Sequence, residues 1–271
     1  MKHPITKLRG LVPHSLRLSC IIALVVLTSL ATKSQAQTLI HDDFNRGSVT
    51  LPEDLNGSAP TTSSLGSITW LSQNWETNGS AATDTSSSAR NAFLPFNPST
   101  GNIYTLTATI SMETTDSNWI GIGFSNGAAT DTQLYGAPNN SQGILFRGDG
   151  QVRYVGTNGT AGDGLSGNPL SSGLGKTVSI SVILDTTEEN WVMSYAINGT
   201  PVTGTYTFNV NPTINYIGFG SYTNATGFVE DITLTTNIPE SSTTTLILAG
   251  AVLGLMLIRK SRKAFPTSRV C

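Results

Sequence analysis

From Tyr104 to Met112 the chain alternates strictly: Tyr104, Leu106, Ala108, Ile110 and Met112 are separated by Thr105, Thr107, Thr109 and Ser111. Successive side chains of a strand point to opposite faces, so this run predicts a strand with one buried face and one lined by hydroxyls. Val178, Ile180, Val182 and Leu184 repeat the pattern against Thr177, Ser179 and Ser181. Further strands are predicted over 39–44, 67–71, 119–124, 143–147, 152–156, 191–197, 203–208, 215–221 and 228–235. In Trp119-Ile120-Gly121-Ile122-Gly123-Phe124 and Tyr216-Ile217-Gly218-Phe219 apolar residues occupy both faces, which predicts central strands. Their glycines leave one face flat enough for another element to pack closely. Gly148-Asp149-Gly150 and Asn198-Gly199 fall between strands, the latter suited to a type I′ hairpin. Segments 127–142 and 158–175, rich in Gly, Ser, Thr and Asn, read as surface loops. Many short strands, frequent turns and no helical periodicity predict one all-β domain over 37–236, a β-sandwich or jelly roll.

The two flanks follow a different pattern. Residues 1–36 hold Lys2, Lys7, Arg9 and Arg17, then an apolar run from Cys20 to Ala31, then Ser34-Gln35-Ala36. This is the layout of a secretory signal peptide cleaved between Ala36 and Gln37, the alternative being an uncleaved N-terminal anchor. At the other end, Ser242 to Ile258 carries no charge and leads into Arg259-Lys260-Ser261-Arg262-Lys263. At a helical rise of about 1.5 Å per residue the uncharged stretch spans about 25 Å, enough to cross a hydrocarbon core at its short limit. The basic cluster would stay cytoplasmic with residues 264–271 as a short tail, leaving 37–237 outside.

Pro239-Glu240, a single hydrophobic helix and an Arg/Lys-rich end together resemble the PEP-CTERM protein-sorting domain over 237–263. The resemblance implies an exopolysaccharide-producing Gram-negative bacterium, handling by an exosortase-type membrane protease near Pro239 and Glu240, and export to the cell surface or extracellular matrix. Ser241 stands where that family has a second proline, and eight residues follow the basic cluster. An ordinary single-pass anchor is the alternative.

Charge sharpens this division. Residues 1–36 carry five Lys/Arg and no acid, 37–236 five against sixteen Asp/Glu, and 237–271 five against Glu240 alone, together giving the formal −2 of the whole chain. The middle is therefore near −11, which argues against a nucleic-acid partner. It contains no cysteine and one histidine, His41, which excludes structural disulfides, thiol nucleophiles and Cys-rich zinc sites there.

The opening run Leu39-Ile40-His41-Asp42-Asp43-Phe44 and the closing run Phe228-Val229-Glu230-Asp231-Ile232-Thr233-Leu234 resemble the first and last strands of the concanavalin A-like lectin/glucanase sandwiches. The resemblance implies a jelly roll whose terminal strands lie together. Glucanases of this kind present their acids as E-x-D-x-x-E on one strand, and no such run occurs. The doublets Asp42-Asp43, Glu53-Asp54, Glu188-Glu189 and Glu230-Asp231 would point to opposite faces and cannot themselves be a catalytic pair. Carboxylates from separate strands could still converge. Asp42, Asp43, Asp163 and Asp231 are the candidate ligands of a structural calcium, although no D-x-D-x-D-G loop is present. Trp119 and Trp191 are expected in the core, whereas Trp75 and Tyr135 are the candidate exposed platforms for a sugar ring. The reading is an exported, non-catalytic surface or matrix protein that binds glycan, extracellular polysaccharide included, or is a structural component. A glycan-active hydrolase and a protein-binding adhesion module are the alternatives.

Overall fold

The computed structural model describes residues 36–47, 52–112, 118–155, 176–202, 205–222 and 225–237. Gln35–Pro239 make one compact unit, and the flanks 1–34 and 240–271 lie outside the described residues. So do the signal peptide up to Gln35 and the sorting motif Pro239-Glu240. Ala36 is exposed, and Gln37 is the first residue of the first strand. Among the described residues no helix is long and apolar enough to cross a membrane.

Seventeen strands are present among the described residues. They run β1 (Gln37–Asp42), β2 (Glu53–Asp54), β3 (Thr62–Ser63), β4 (Leu71–Ser72), β5 (Trp75–Thr77) and β6 (Ala82–Asp84). Next come β7 (Arg90–Pro95), β8 (Ile103–Met112), β9 (Trp119–Ser125), β10 (Gln142–Arg147), β11 (Val152–Val155) and β12 (Lys176–Asp185). The chain continues through β13 (Val192–Ile197), β14 (Thr200–Pro201), β15 (Tyr206–Thr207), β16 (Tyr216–Ser221) and β17 (Gly227–Asn237). One sheet has the order β14-β13-β12-β8-β17-β6-β5-β2, with β1 paired to β17, β3 to β1 and β15 to β13. The second has the order β11-β10-β9-β16-β7-β4. Every pairing is antiparallel, and the two sheets form an all-β sandwich.

The alternating runs behave as the pattern requires. On β8 the residues Tyr104, Leu106, Ala108, Ile110 and Met112 are buried, with the threonines between them only partly so. On β12, Val178, Ile180, Val182 and Leu184 face the same core. Across these two strands the outer hydroxyls pair, Thr107 Oγ1 with Ser181 Oγ at 2.9 Å. From the other sheet, Phe219 packs edge-on against Trp70 (5.1 Å) and Trp75 (4.7 Å). The Asn198-Gly199 turn has positive φ at both residues, 50° and 73°, as a type I′ hairpin demands. First and last strands do pair, Gln37 opposite Thr236 and Asp42 opposite Ile232.

Four expectations need correction. The strand expected over 67–71 shrinks to Leu71–Ser72, and of that over 203–208 the described residues 205–208 hold strand at Tyr206–Thr207. The segment 127–142 is no solvated loop, since it buries Leu134, Tyr135, Asn139 and Ser141. Trp191 is core, but Trp119 lies on the outer face of the six-stranded sheet and is only half-buried.

Candidate functional site

The glycines of β9 and β16 do leave a flat face, and the segment 126–141 covers it. A Cβ on Gly121 would fall 2.6 Å from the Tyr135 hydroxyl and 2.9 Å from Leu145 Cδ2, so only glycine admits this cover. Tyr135 Oη lies 2.9 Å from Ile122 O and 2.7 Å from Ile144 O, and its ring packs with Leu134 and Phe93 in a small second core. Burial pushes the Tyr135 phenol well above its ordinary pKa, so it remains a neutral donor. Asn91 Nδ2 donates to Ala129 O (2.9 Å) and Thr132 O (2.8 Å). Asn139 accepts from Ala129 N (2.7 Å) and donates back to Ala129 O (2.9 Å). Asn91, through its side-chain amide and its backbone N–H to Thr130 O (3.0 Å), thus fastens the segment to the sheet, while Asn139 ties the segment to itself.

Where this segment leaves β9 and rejoins β10 it meets the connection from β15 to β16, and a cleft of about 280 Å³ opens between them. Asn126, Asn140, Gln142 and Thr213 supply its polar wall; Phe208, Val210 and Pro212 supply the apolar part. Asn215 Nδ2 holds Asn126 through its backbone O (2.9 Å) and its Oδ1 (3.2 Å). Asn211, also on the lining, accepts from Trp191 N and donates to Glu189 O, both at 2.8 Å, which fixes the opposite wall. Gln142, 4% exposed, donates from Nε2 to Asn140 O (3.1 Å) and leaves its Oε1 buried without a partner. Val210 is 82% exposed at the rim. None of the lining residues is ionisable. The cleft can therefore exchange hydrogen bonds and apolar contact with a ligand, through carboxamides and the Thr213 hydroxyl among the described lining residues.

The residues singled out from sequence lie elsewhere. Trp75 is fully buried (0% exposed), because β5 turns Trp75 and Thr77 inward and only Glu76 outward, so the polar neighbours Ser72, Gln73 and Asn74 misled. Tyr135 is 7% exposed and is the plug of the cover, not a platform. Asp42 is fully buried and spends both oxygens on protein donors. Oδ1 accepts from Arg46 Nη1 (2.6 Å) and Phe44 N (2.9 Å), and Oδ2 from Arg46 Nη2 (2.7 Å) and Trp70 Nε1 (2.6 Å). Asp43 is half-buried and accepts from Thr61 Oγ1 (2.7 Å), which lowers its pKa. Asp231 lies 3.8 Å from His41 Nδ1, and partial burial raises its pKa although the imidazole opposes this. Asp163 lies outside the described residues. Among the described residues no three His, Cys, Asp or Glu side chains come together in a group able to hold a metal ion. Asp42, Asp43 and Asp231 are thus not part of any such group among the described residues.

No protein-family model matches the chain. No curated protein matches it either. Among solved structures, the chain is similar to the carbohydrate recognition domain of Emp47p (15% identity, 76% of this chain and 99% of that one, TM-score 0.47). It is also similar to an endo-1,3-beta-glucanase from Streptomyces sioyaensis (12% identity, 77% and 99%, TM-score 0.41) and to peanut lectin (13% identity, 75% and 98%, TM-score 0.42).

Proposed function

We propose that this protein is a non-catalytic, glycan-binding component of the cell surface or extracellular matrix, and that the cleft beside Gln142 takes a neutral saccharide. The observation that carries the reading is the lining itself. Carboxamides and one hydroxyl face an apolar ridge, and no ionisable group is present. A neutral sugar offers the complement, a rim of hydroxyls that donate and accept and a face of C–H groups. The volume sits at the small end of ligand sites, which run from about 300 to 1,000 Å³, and suits a chain end or a short stretch of glycan. The orphaned Gln142 Oε1 is an acceptor that a sugar hydroxyl would satisfy after rotation of the carboxamide. The strongly acidic middle of the chain, with few cations to spare, also favours an uncharged ligand at this cleft. The leader-like and sorting-like flanks support delivery outside the cytoplasm, through the secretion machinery and an exosortase-type protease.

A glycan array with the purified full chain tests the binding. Neutral glycans should bind, and Val210→Arg, which fills the rim at an exposed position, should abolish the signal without unfolding the protein. Retention of full binding by Val210→Arg, or no neutral ligand at all, would overturn the cleft reading. No new reducing ends should appear in any glycan that binds; steady release would restore the hydrolase alternative. Cell fractionation tests delivery, since full-length protein retained in the cytoplasm contradicts it.

A further inference from the structure

A second cluster lies on the outer face of the six-stranded sheet, at the opposite end of β9 from the cleft. Six residue steps along the strand separate Trp119 from Ser125, about 20 Å. Trp119 stands opposite Arg147 on β10. On the other side the row continues into Tyr222, whose backbone N–H donates to Trp119 O at 2.8 Å and which is 43% exposed. Arg153, opposite Leu145 on β11, reaches the same indole diagonally. The guanidinium carbons of Arg147 and Arg153 lie 4.9 Å and 5.5 Å from the ring centroid.

Two of the five Lys/Arg of residues 37–236 therefore converge on one tryptophan, in a segment with sixteen acids. They are not equivalent. Arg147 is committed to its own hairpin, donating to Gln151 Oε1 at 2.7 Å and pairing with Asp149 at 3.3 Å. Arg153 is exposed and makes no salt bridge among the described residues. A guanidinium laid against an indole loses its side-chain freedom in advance and keeps its N–H edges for a planar, two-oxygen acceptor. Beside it, Tyr222 exposes an aromatic ring.

We propose that this cluster is an acidic-sugar subsite, in which Arg153 binds the carboxylate of a uronic acid residue and the sugar ring lies against the Tyr222–Trp119 row. It rests on the reading of the domain as a glycan binder but on different residues from the neutral cleft. Charge complementarity decides the occupant: over an otherwise acidic segment, an anion is attracted where arginine charge is exposed.

The test is titration of the purified full chain with oligogalacturonate, followed by tryptophan fluorescence and calorimetry. The same oligomer with its carboxyls reduced and a polyglutamate of equal charge serve as comparators. Oligogalacturonate should bind and perturb the fluorescence. Arg153→Gln should weaken it about tenfold or more, since hydrogen bonds to charged groups are the strong ones, and Arg153→Lys should recover part of the loss. Val210→Arg should leave it unchanged. Equal binding by Arg153→Gln, or by the carboxyl-reduced oligomer, overturns the proposal, and equal binding of polyglutamate reassigns the cluster to acidic polypeptide. If oligogalacturonate fails while neutral glycans bind, only this subsite falls; if both fail, the glycan reading falls with it.

Discussion

Replacing Asp42 by Asn keeps the shape of the side chain and removes its charge, and the structure says why this should be severe. Oδ1 accepts from Arg46 Nη1, Phe44 N and Thr61 Oγ1, and Oδ2 from Arg46 Nη2 and Trp70 Nε1. Whichever way the asparagine amide is turned, its NH₂ meets at least two donors. The Arg46 side chain, 10% exposed, is left as a buried charge without a partner. Breaking one side of a buried pair costs about 3–5 kcal/mol, and the hydrogen bond lost by either Trp70 or Phe44, whichever the NH₂ faces, keeps the value at the upper part of that range. With a urea m-value of about 2–3 kcal/mol/M, the unfolding midpoint should fall by about 1.5 M at unchanged slope. Intrinsic fluorescence is a suitable probe because Trp70 and Trp75 are both fully buried. In a double-mutant cycle with Arg46→Met, the two losses should fall short of additivity by about 0.5–3 kcal/mol. A loss below about 1 kcal/mol for Asp42→Asn, or full additivity with Arg46→Met, would refute this account.

Gly121→Ala should destabilise by about 1–3 kcal/mol through overpacking, and, because the added methyl displaces Tyr135, amide exchange should rise within 126–141 before anywhere else. Tyr135→Phe should cost about 1 kcal/mol, the ordinary net value of a buried hydrogen bond, while leaving neutral-glycan binding intact. Asp84 accepts from the Ser221 hydroxyl and from Ser86 N (2.8 Å), yet burial raises its pKa above the ordinary 3.8. Folded protein therefore holds this proton more tightly than unfolded protein, so its contribution is greatest below pH about 4 and is lost as pH rises through the raised value. Asp84→Asn should flatten that part of the stability–pH profile, read from denaturation midpoints at fixed ionic strength.

What could be read from the sequence follows from how many faces of each strand are buried. β8 and β12 were legible because one face is core and the other carries Thr and Ser, so the alternation survives. β7 was not, because the run Arg90-Asn91-Ala92-Phe93-Leu94-Pro95 is buried on both sides. Asn91 and Phe93 lie under the 126–141 cover, where a polar residue is as well satisfied as an apolar one. The strands β2 to β6 run only two or three residues each, too short for any period to show. The site was misplaced for a related reason. Polar neighbours made Trp75 look exposed, although a strand can bury alternate residues within a polar run. A strand-opening position made Trp119 look like core, although its side chain faces outward. The cleft itself joins residues near 126, 140–142 and 208–213, none of which forms a motif along the chain.

The pairing of the terminal strands also decides how the domain bears load. β17 is the last described element, and it is held by β8 over its whole length and by β1 on its other side. Force arriving from residue 238 onward therefore enters an interior strand, and drawing it out requires two hydrogen-bonded ladders to fail together. A pull between the two ends meets a different geometry. Gln37 and Thr236 are neighbours, so β1 would peel from β17 one bond at a time, beginning at the chain ends. Held from its C-terminal side alone, the sandwich is clamped; stretched between both ends, it opens like a zip.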